Sequence, residues 1–292
     1  MAMKTKADTA VGLDVGGTNI RAARISSDGR IFGRVIERVV PDRTGFASQA
    51  LRLIAAVRDD TTCAVGIGIP GRVDGNTGAI LSAGNLDIAG LDLSALVRAE
   101  AKLPCRIEND AAMALIAEGQ GTVDLIAMVT VGTGVGGALL RGGQPFYGGS
   151  FAGQFGHIVV ASDGPLCNCG RTGCVETFSA GPALALLIAK EGLPATTDAA
   201  NLLSAADEGD TRAETILTLW ADPMKRALQT LMAIVDPTKV IIGGGLGVYM
   251  ARAVNRNSPQ NAWFNRPVVA ARLGDNAGVI GAGLAGLLEV SN

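Results

Sequence analysis

The sequence predicts an α/β protein made of two similar halves. Apolar runs with the spacing of strands flank a glycine-rich turn at residues 10–25, and the same layout returns at residues 125–140. This repetition indicates an internal duplication. A chain of 292 residues is long enough for two domains, and no low-complexity linker divides it. We therefore expect two α/β domains that share a cleft.

The composition argues against several other classes of protein. Aromatic residues make up only 4% of the chain, so we expect an aliphatic core threaded with its 40 glycines. The formal charge of -2, without any basic stretch, argues against nucleic acid as the main partner. No signal peptide or membrane span is indicated. We expect a cytoplasmic protein with reduced thiols and no membrane partner.

The first half opens with a hairpin at residues 10–25, in which Asp14 precedes the turn GGTN. Apolar spacing predicts a helix over residues 46–58, then a strand over residues 64–72 that ends in a Pro-Gly turn. A second helix is predicted from its N-cap Asp92 to about Lys102. The short strand CRIEND then delivers Glu108, Asn109 and Asp110 to its C-terminal end, where α/β folds place functional sites.

The second half repeats the strand, turn and strand at residues 125–140. Helices are predicted over residues 179–191, 198–208 and 211–235, and Pro223 is expected to break or kink the last of them. A buried strand over residues 239–247 runs into a glycine turn, and a helix of small residues closes the chain. Trp220 and Trp263 are expected to be packing residues.

Residues 154–176 contain a candidate metal site. The only histidine of the chain, His157, lies ten residues before Cys167, and Cys169 and Cys174 complete a CxCxxxxC pattern. Four such ligands suit tetrahedral Zn2+. The alternatives are a disulfide or buried thiols, but a bridge between Cys167 and Cys169 is awkward and nothing suggests secretion. Because four protein ligands leave no open position for water, we expect a structural zinc.

Two glycine turns are candidate phosphate sites, DVGGT at residues 14–18 and GTGVGG at residues 132–137. Both offer successive backbone N–H groups, and both contain a threonine, Thr18 or Thr133. Neither turn has the P-loop or Rossmann pattern, and ordinary hairpin turns remain the alternative. Asp14 is placed to lie near a phosphate-bound Mg2+; the alternative is an aspartate that bonds its own turn.

A carboxylate at the end of the CRIEND strand is a candidate general base. Phosphoryl transfer to an alcohol needs one carboxylate that takes the hydroxyl proton. Either Asp110 or Glu108 meets this requirement. The alternative for Asp110 is the N-cap of the helix that follows.

Taken together, these patterns resemble the ROK family of sugar kinases and repressors, within the actin-like ATPase superfamily. The resemblance covers almost the whole chain and is carried by DVGGT at 14, GIPGRVD at 68, END at 108, GTGVGG at 132, GQFGH at 153, CNCGRTGCVE at 167 and IIGGGLG at 241. It implies two actin-like, ribonuclease H-like α/β domains that flank a central cleft, with a structural zinc loop. Residues 1–110 and the C-terminal helix at about 275–292 would form the smaller domain, and residues 111–274 the larger one.

The resemblance also implies roles for individual residues. Asp110 matches the catalytic base that deprotonates the sugar 6-hydroxyl, and His157 is shared between zinc and sugar. The positions that match sugar-binding residues are Gly71, Arg72, Asn85, Asn109, Asp110, Gln154, His157 and Glu176. Those that match nucleotide-binding residues are Asp14 for Mg2+, Gly16, Gly17, Thr18, Asn19, Thr133 and Gly134 for phosphates, and Gly244 and Gly245 for adenosine. The implied cofactors are ATP, Mg2+ and structural Zn2+, and the implied assembly is a homodimer.

One departure from the family pattern bears on the sugar. Gln154 stands where many of these kinases have a glutamate three residues before the histidine, so one charged hydrogen bond is replaced by a neutral one. Some bacterial N-acetylmannosamine kinases also lack that glutamate. Together with the DGPxCxCGxxGC and GRV segments, this favours N-acetylmannosamine or N-acetylglucosamine, with glucose second.

Two other readings stay open. A sugar-responsive regulator is disfavoured, because the first motif begins at residue 14 and leaves no room for an N-terminal DNA-binding domain. A sugar-binding relative with degraded catalysis is also disfavoured, since Asp14, Asp110 and both glycine turns are intact.

Overall fold

The computed structural model describes residues 8–256 and 262–290, which form two compact units. The first unit contains the chain up to Thr122, Gly143–Ala152 and the chain from Asp275; the second contains Val123–Gly142 and Gly153–Gly274. The domain boundary expected at residue 110 stays a prediction. The compact units divide the chain differently there, because the helix that begins at Asp110 packs on the C-terminal helix within the first unit.

Strands predominate in the first part of the chain, and four α-helices follow one another over residues 176–235. The strands are β1 Thr9–Val15, β2 Asn19–Ser26, β3 Ile31–Arg38, β4 Thr62–Ile69, β5 Arg72–Val73, β6 Ile80–Ser82, β7 Cys105–Asn109, β8 Ile126–Val131, β9 Val135–Arg141, β10 Gln144–Pro145, β11 Lys239–Gly243 and β12 Val268–Ala270. The α-helices are α1 Arg43–Val57, α2 Leu93–Ala101, α3 Asp110–Glu118, α4 Glu176–Ser179, α5 Gly181–Lys190, α6 Ala199–Asp207, α7 Thr211–Val235, α8 Gly247–Asn255 and α9 Ala277–Val290. Short 3-10 helices cover Phe155–His157, Ala262–Phe264 and Gly274–Asn276.

The sheet of the first unit has the strand order β3-β2-β1-β4-β7. β1, β2 and β3 are antiparallel neighbours, while β4 is parallel to both β1 and β7. Apolar side chains of α1 and α2, among them Phe46, Leu53 and Leu93, join those of β1, β4 and β7 in one buried cluster. The parallel arrangement brings the C-terminal ends of β1, β4 and β7 to the same edge of the sheet.

Helix α9 packs on the sheet through glycines. A Cβ atom at Gly12 of β1 would lie 2.1 Å from the carbonyl oxygen of Val279, and one at Gly66 of β4 would lie 1.8 Å from that of Ala282. Helix α9 also packs closely against α3 through a glycine, since a Cβ at Gly281 of α9 would lie 1.6 Å from the carbonyl oxygen of Met113 in α3. Only hydrogen fits at these positions, so backbone packs directly against backbone.

The second unit contains a sheet with the strand order β9-β8-β11-β12, in which β8 and β9 form an antiparallel hairpin and β11 is parallel to β8 and β12. The predicted hairpins in both halves are confirmed. Of the break or kink predicted at Pro223, the break is wrong, because α7 is continuous from Thr211 to Val235, and the kink stays a prediction. Pro223 is buried in that helix beside buried Trp220, so packing outweighs the cost of about 3 kcal/mol for an interior proline.

Two further details concern expectations from the sequence. Trp220 is fully buried and its Nε1 donates to the carbonyl of Ala180, whereas Trp263 is 89% exposed, so the packing prediction is right for the first and wrong for the second. In the described part of the chain, none of the helices has the length and hydropathy that crossing a bilayer requires.

Candidate active site and zinc site

Asp110 lies where β7 passes into α3. Asn109 is the N-cap of α3, and its Oδ1 accepts a hydrogen bond from the backbone N–H of Ala111 at 2.9 Å. The carboxylate of Asp110 accepts from the same N–H at 2.8 Å. The N-cap alternative for Asp110 is therefore wrong, because its neighbour occupies that position. Asn109 also donates through Nδ2 to the carbonyl of Gly71, at 2.6 Å.

The surroundings of Asp110 make its carboxylate a stronger base. Burial, and secondarily the negative charge of Asp14, raise the pKa of Asp110 from 3.8 to about 6, against hydrogen bonds from Ala111 and Asn109 that lower it. Its pKa then lies just below neutral pH, so the carboxylate stays ionised there while holding a proton more readily than an ordinary aspartate. A pKa close to the working pH is what general-base catalysis requires.

Asp14 lies at the end of β1, directly before the first glycine turn. Its carboxylate bonds Arg21 Nη1 at 3.4 Å, on the neighbouring strand, so the alternative of an aspartate bonded to its own turn is wrong. Burial raises the pKa of Asp14, and the charge of Arg21 opposes this. The turn itself is closed by the Gly16 N–H, which donates to the carbonyl of Asn19 at 2.8 Å; Gly17, Thr18 and Asn19 are exposed at its tip.

The loop after β4 has a backbone that requires glycine. Gly71 has φ of +97°, and a Cβ there would lie 2.6 Å from the carbonyl oxygen of Ser82. The guanidinium of Arg72 lies over the Phe151 ring at 4.9 Å from its centroid. Asn85 is exposed in the turn that follows β6.

Glu108, the other candidate base, is engaged elsewhere. It is only 2% exposed, and its Oε1 accepts hydrogen bonds from Arg106 Nε at 3.0 Å and from the Tyr147 hydroxyl. These donors fix the carboxylate inside the first unit. Glu108 is therefore unsuited to take a proton from a substrate, which leaves Asp110 as the candidate.

The second unit brings the four predicted metal ligands together. His157 Nδ1 lies 3.5 Å from Cys167 Sγ, Cys169 Sγ lies 3.6 Å from Cys174 Sγ, and the four ligand atoms all lie within 4.8 Å of one another. Ligands at zinc-sulfur distances of about 2.3 Å occupy tetrahedral corners roughly 3.7 Å apart. The donor set and its spacing therefore fit Zn2+. The disulfide alternative is wrong, since all these cysteines are free.

The backbone of the loop makes tight bends around the cysteines, and it favours the thiolate form of one of them, Cys169. Gly170 and Gly173 have φ of +85° and +81°, and a Cβ at Gly173 would lie 2.0 Å from the carbonyl oxygen of Ala161. Hydrogen bonds from Arg171 lower the pKa of Cys169 to about 7. The same arginine donates to the carbonyl of His157 at 2.7 Å and so ties both ends of the loop together.

Glu176 connects the zinc loop with the second glycine turn. It opens α4 two residues after Cys174, and its Oε2 accepts from the Val135 N–H at 2.9 Å. A Cβ at Gly134 would lie 2.6 Å from this oxygen, so any larger residue there would displace the Glu176 carboxylate. Thr133 is exposed at the tip of the turn. Gln154 directly precedes the 3-10 helix that ends at His157.

The second glycine turn adjoins the turn after β11 and a cavity. Gly244 has φ of +82°, and its missing Cβ would lie 2.5 Å from the carbonyl oxygen of Val131 at the end of β8; Gly245 is exposed beside it. The Gly181 N–H of α5 donates to the carbonyl of Gly132 at 2.8 Å. The cavity measures about 370 Å³ and is lined by Gly181, Leu184, Ile188, Leu193, Thr197 and Leu246.

Sequence reasoning missed three features of these sites. They are the pairing of Arg21 with Asp14, the bonding of Glu108 to Tyr147, and the aliphatic cavity beside the Gly244 turn. The first was readable in principle, since a tight hairpin places Arg21 opposite Asp14. The other two join residues that are distant in the chain and left no local signal.

This α/β fold carries a strand-end carboxylate, two glycine turns and a Cys3His cluster. Comparison with known proteins shows the family to which a chain with these features belongs. The ROK family model matches residues 10–286, so the chain belongs to the ROK family. It is 33% identical over 288 residues to an N-acetylmannosamine kinase of Escherichia coli (strain 55989 / EAEC), covering 94% of this chain and 97% of that protein.

Solved structures agree on the fold. A ROK family glucokinase from Streptomyces griseus, crystallised with glucose and AMPPNP, is 30% identical with a TM-score of 0.77, over 96% of this chain and 99% of that one. A ROK hexokinase from Thermus thermophilus is 29% identical with a TM-score of 0.79, over 97% and 99%. The family and the actin-like α/β fold predicted from the sequence are therefore confirmed.

Proposed function

We propose that this protein is an ATP-dependent sugar kinase that transfers the γ-phosphoryl group to the 6-hydroxyl of an N-acetylhexosamine, with N-acetylmannosamine as the first candidate. The observation that carries the proposal is the Asp110 carboxylate, held at a strand end with its pKa raised to about 6. Similarity over nearly the whole length to an N-acetylmannosamine kinase supports the choice of sugar. Glucose is the second candidate, supported by the similarity to a glucokinase.

In this proposal Asp110 accepts the proton of the sugar hydroxyl as that oxygen attacks phosphorus. The carboxylate of Asp14 would hold Mg2+, a hard cation that prefers oxygen ligands, and the partly buried acid beside Arg21 fits this role. Bound ATP supplies the phosphoryl group, and Mg2+ neutralises charge on its phosphates. The backbone N–H groups of Gly17, Thr18 and Asn19 in the first unit, and of Thr133 and Gly134 in the second, would bind phosphate oxygens. Gly16, whose own N–H closes the first turn, would let a phosphate approach the backbone closely.

The remaining candidate residues are assigned to the sugar and to the base of the nucleotide. We assign sugar hydroxyls to Gly71, Arg72, Asn85 and Asn109 in the first unit, and to Gln154, His157 and Glu176 in the second. The cavity of about 370 Å³ beside Gly244 and Gly245 has a size and an aliphatic lining that suit a nucleoside.

Zinc would be structural in this enzyme. Cys167, Cys169, Cys174 and His157 would hold it, and it would fix the loop over residues 154–176. Since His157 Nδ1 faces Cys167, the other ring nitrogen, Nε2, is the one assigned to a sugar oxygen. Zinc thereby orders a substrate contact without entering the reaction.

Two further assignments rest on the family and the thiols. We propose that the enzyme is cytoplasmic, where ATP is available and the thiolate ligands stay reduced. By analogy with similar kinases we propose a homodimer. Light scattering at micromolar concentration measures the mass directly, and a monomer mass would contradict the assembly.

The test of the proposed function is a coupled assay of ADP release with N-acetylmannosamine, N-acetylglucosamine and glucose. We expect kcat/KM for N-acetylmannosamine to exceed that for glucose by about tenfold or more, a difference of roughly 1.4 kcal/mol in transition-state binding. A preference for glucose would replace the first candidate with the second. Absence of sugar-dependent ADP release with every sugar, in protein shown to contain zinc, would refute the kinase.

A further inference from the structure

A buried network next to Asp110 has no part in the mechanism described so far. Glu108 accepts from Arg106 Nε at 3.0 Å and from the Tyr147 hydroxyl, and Arg106 Nη2 bonds the Tyr147 oxygen at 2.9 Å. The three side chains therefore form a closed triangle. Burial and the charge of Glu108 raise the pKa of Tyr147, and burial raises that of Glu108. A buried carboxylate is tolerated only when donors such as these satisfy it.

Tyr147 also belongs to a segment that contacts the loop after β4. A Cβ at Gly75 would lie 2.1 Å from the Tyr147 ring, so the ring fills the space beside this glycine. Ser150 Oγ donates to Asp74 Oδ2 at 3.0 Å. Phe151 lies under the Arg72 guanidinium, as described above. Residues 147–151 thus contact residues 72–75 at three successive points.

The strand end and the loop after β4 are joined a second time. Asn109 donates to the carbonyl of Gly71 at 2.6 Å, and Asn109 directly follows Glu108 in β7. The contacts therefore form a closed circuit. Glu108 bonds Tyr147, and Tyr147 packs against Gly75. Residues 75 back to 71 lead to Gly71, which bonds Asn109, the neighbour of Glu108. All of these residues lie in the first unit.

We propose that Tyr147 is a positioning residue of the sugar site, which holds the loop of residues 71–75 and the strand end of residues 108–110 in fixed register through Glu108. The proposal rests on the proposed function, because Arg72, Asn109 and Asp110 are the sugar-site residues that it places. Tyr147 itself is not a catalytic residue, since its hydroxyl is committed to Glu108. It sets sugar affinity by keeping the segments that bind sugar in one arrangement.

The test uses the two tyrosines of the chain, Tyr147 and Tyr249. Tyr147→Phe removes only the hydroxyl and keeps the ring beside Gly75, and Tyr249→Phe in α8 of the second unit is the matched control. We expect Tyr147→Phe to raise the KM for sugar about tenfold while the KM for ATP stays within about twofold, because the nucleotide contacts do not depend on this circuit. The control should leave both KM values unchanged.

Ser150→Ala provides a milder variant if Tyr147→Phe folds poorly. It removes only the bond to Asp74, and we expect a rise of about threefold in the KM for sugar. Wild-type sugar KM values in both variants, or equal rises for sugar and ATP, would overturn the proposal, because a side chain that merely stabilises the unit has no reason to act on sugar alone.

A spectroscopic measurement tests the network of Arg106, Glu108 and Tyr147 without relying on turnover. The two tyrosine variants each retain one tyrosine, so the absorbance of tyrosinate can be followed against pH for Tyr147 alone in the Tyr249→Phe protein. We expect Tyr147 to ionise at a higher pH in the folded protein than in urea. If Tyr147 ionises at the same pH in the folded protein and in urea, the triangle is not formed and the inference is refuted. If the Tyr249→Phe protein shows this shift but the wild type phosphorylates no sugar, the proposed function is refuted instead, while the network stands.

Discussion

Replacing Asp110 with asparagine should strongly reduce turnover and at the same time stabilise the protein. Burial and the charge of Asp14 raise the pKa of Asp110 from 3.8 to about 6. Since a tenfold change in proton affinity corresponds to about 1.4 kcal/mol, the ionised carboxylate costs the folded state about 3 kcal/mol. Asparagine keeps an oxygen that can accept from the Ala111 N–H, so the variant removes the charge and little else.

The pH dependence of the unfolding free energy follows from the raised pKa of Asp110. Because Asp110 binds its proton more tightly in the folded protein, its favourable contribution is complete below pH 3.8 and is lost as the pH rises through about 6. We therefore expect the unfolding free energy of Asp110→Asn to exceed that of the wild type by about 3 kcal/mol at pH 8 and by roughly half of that at pH 5. Activity needs the ionised carboxylate, so kcat/KM of the wild type should fall about tenfold per pH unit below pH 6. The variant lacks that carboxylate and should lose roughly 10² to 10⁴ in kcat.

The assays are urea unfolding at pH 5 and pH 8 in buffer without Mg2+, and ADP release over the same pH range. Asp60→Asn is the matched control, because this aspartate is exposed in the loop after α1 and should change stability by less than about 0.5 kcal/mol. If Asp110→Asn and the wild type unfold at the same urea concentration at pH 8, the argument from burial is refuted. If the variant keeps wild-type turnover, Asp110 is not the base.

Three further predictions concern zinc, packing and the sugar. Cys174→Ser should lose stoichiometric zinc by metal analysis and weaken sugar binding, whereas Cys63→Ser should keep both; zinc retained at full stoichiometry would contradict the site. Gly66→Ala should lower the unfolding free energy by about 3 kcal/mol in urea, because the added methyl meets the backbone of α9, while Gly149→Ala meets nothing within 4 Å and should cost little. Gln154→Glu should improve kcat/KM for glucose relative to N-acetylmannosamine by roughly 3- to 30-fold; an unchanged ratio would exclude this position as a determinant of sugar choice.

Elements whose sequence pattern lies within a few consecutive residues could be predicted from the sequence. The hairpin around Asp14, the strand that ends at Asn109 and the zinc ligands were all predictable, because alternation, turn residues and ligand spacing are written in consecutive residues. Strand β3 was missed, since its exposed edge position leaves only a weak apolar alternation. Helix α8 was not predicted, because it begins at Gly247, where the predicted strand and its glycine turn end.

The choice between Glu108 and Asp110 could not be made from the sequence. The two carboxylates are two residues apart on one strand end, and either has the right chemistry. Their difference arises from Tyr147, 39 residues away from Glu108 in the chain, which binds one carboxylate and not the other. A contact of that separation depends on the tertiary fold, so no spacing rule reveals it.

The glycines of α9 connect the packing of the core with the chemistry of the site. A Cβ at Gly278 would lie 2.5 Å from the carboxyl group of Asp14, just as those at Gly12 and Gly66 would meet the backbone of the helix. The first turn of α9 can therefore press against the Asp14 carboxylate only because it carries no side chain there. This approach contributes to the burial that raises the pKa of Asp14, and the charge of Asp14 in turn raises that of Asp110. The close backbone packing that gives the first unit its core is thus also a source of the basicity that the proposed reaction requires.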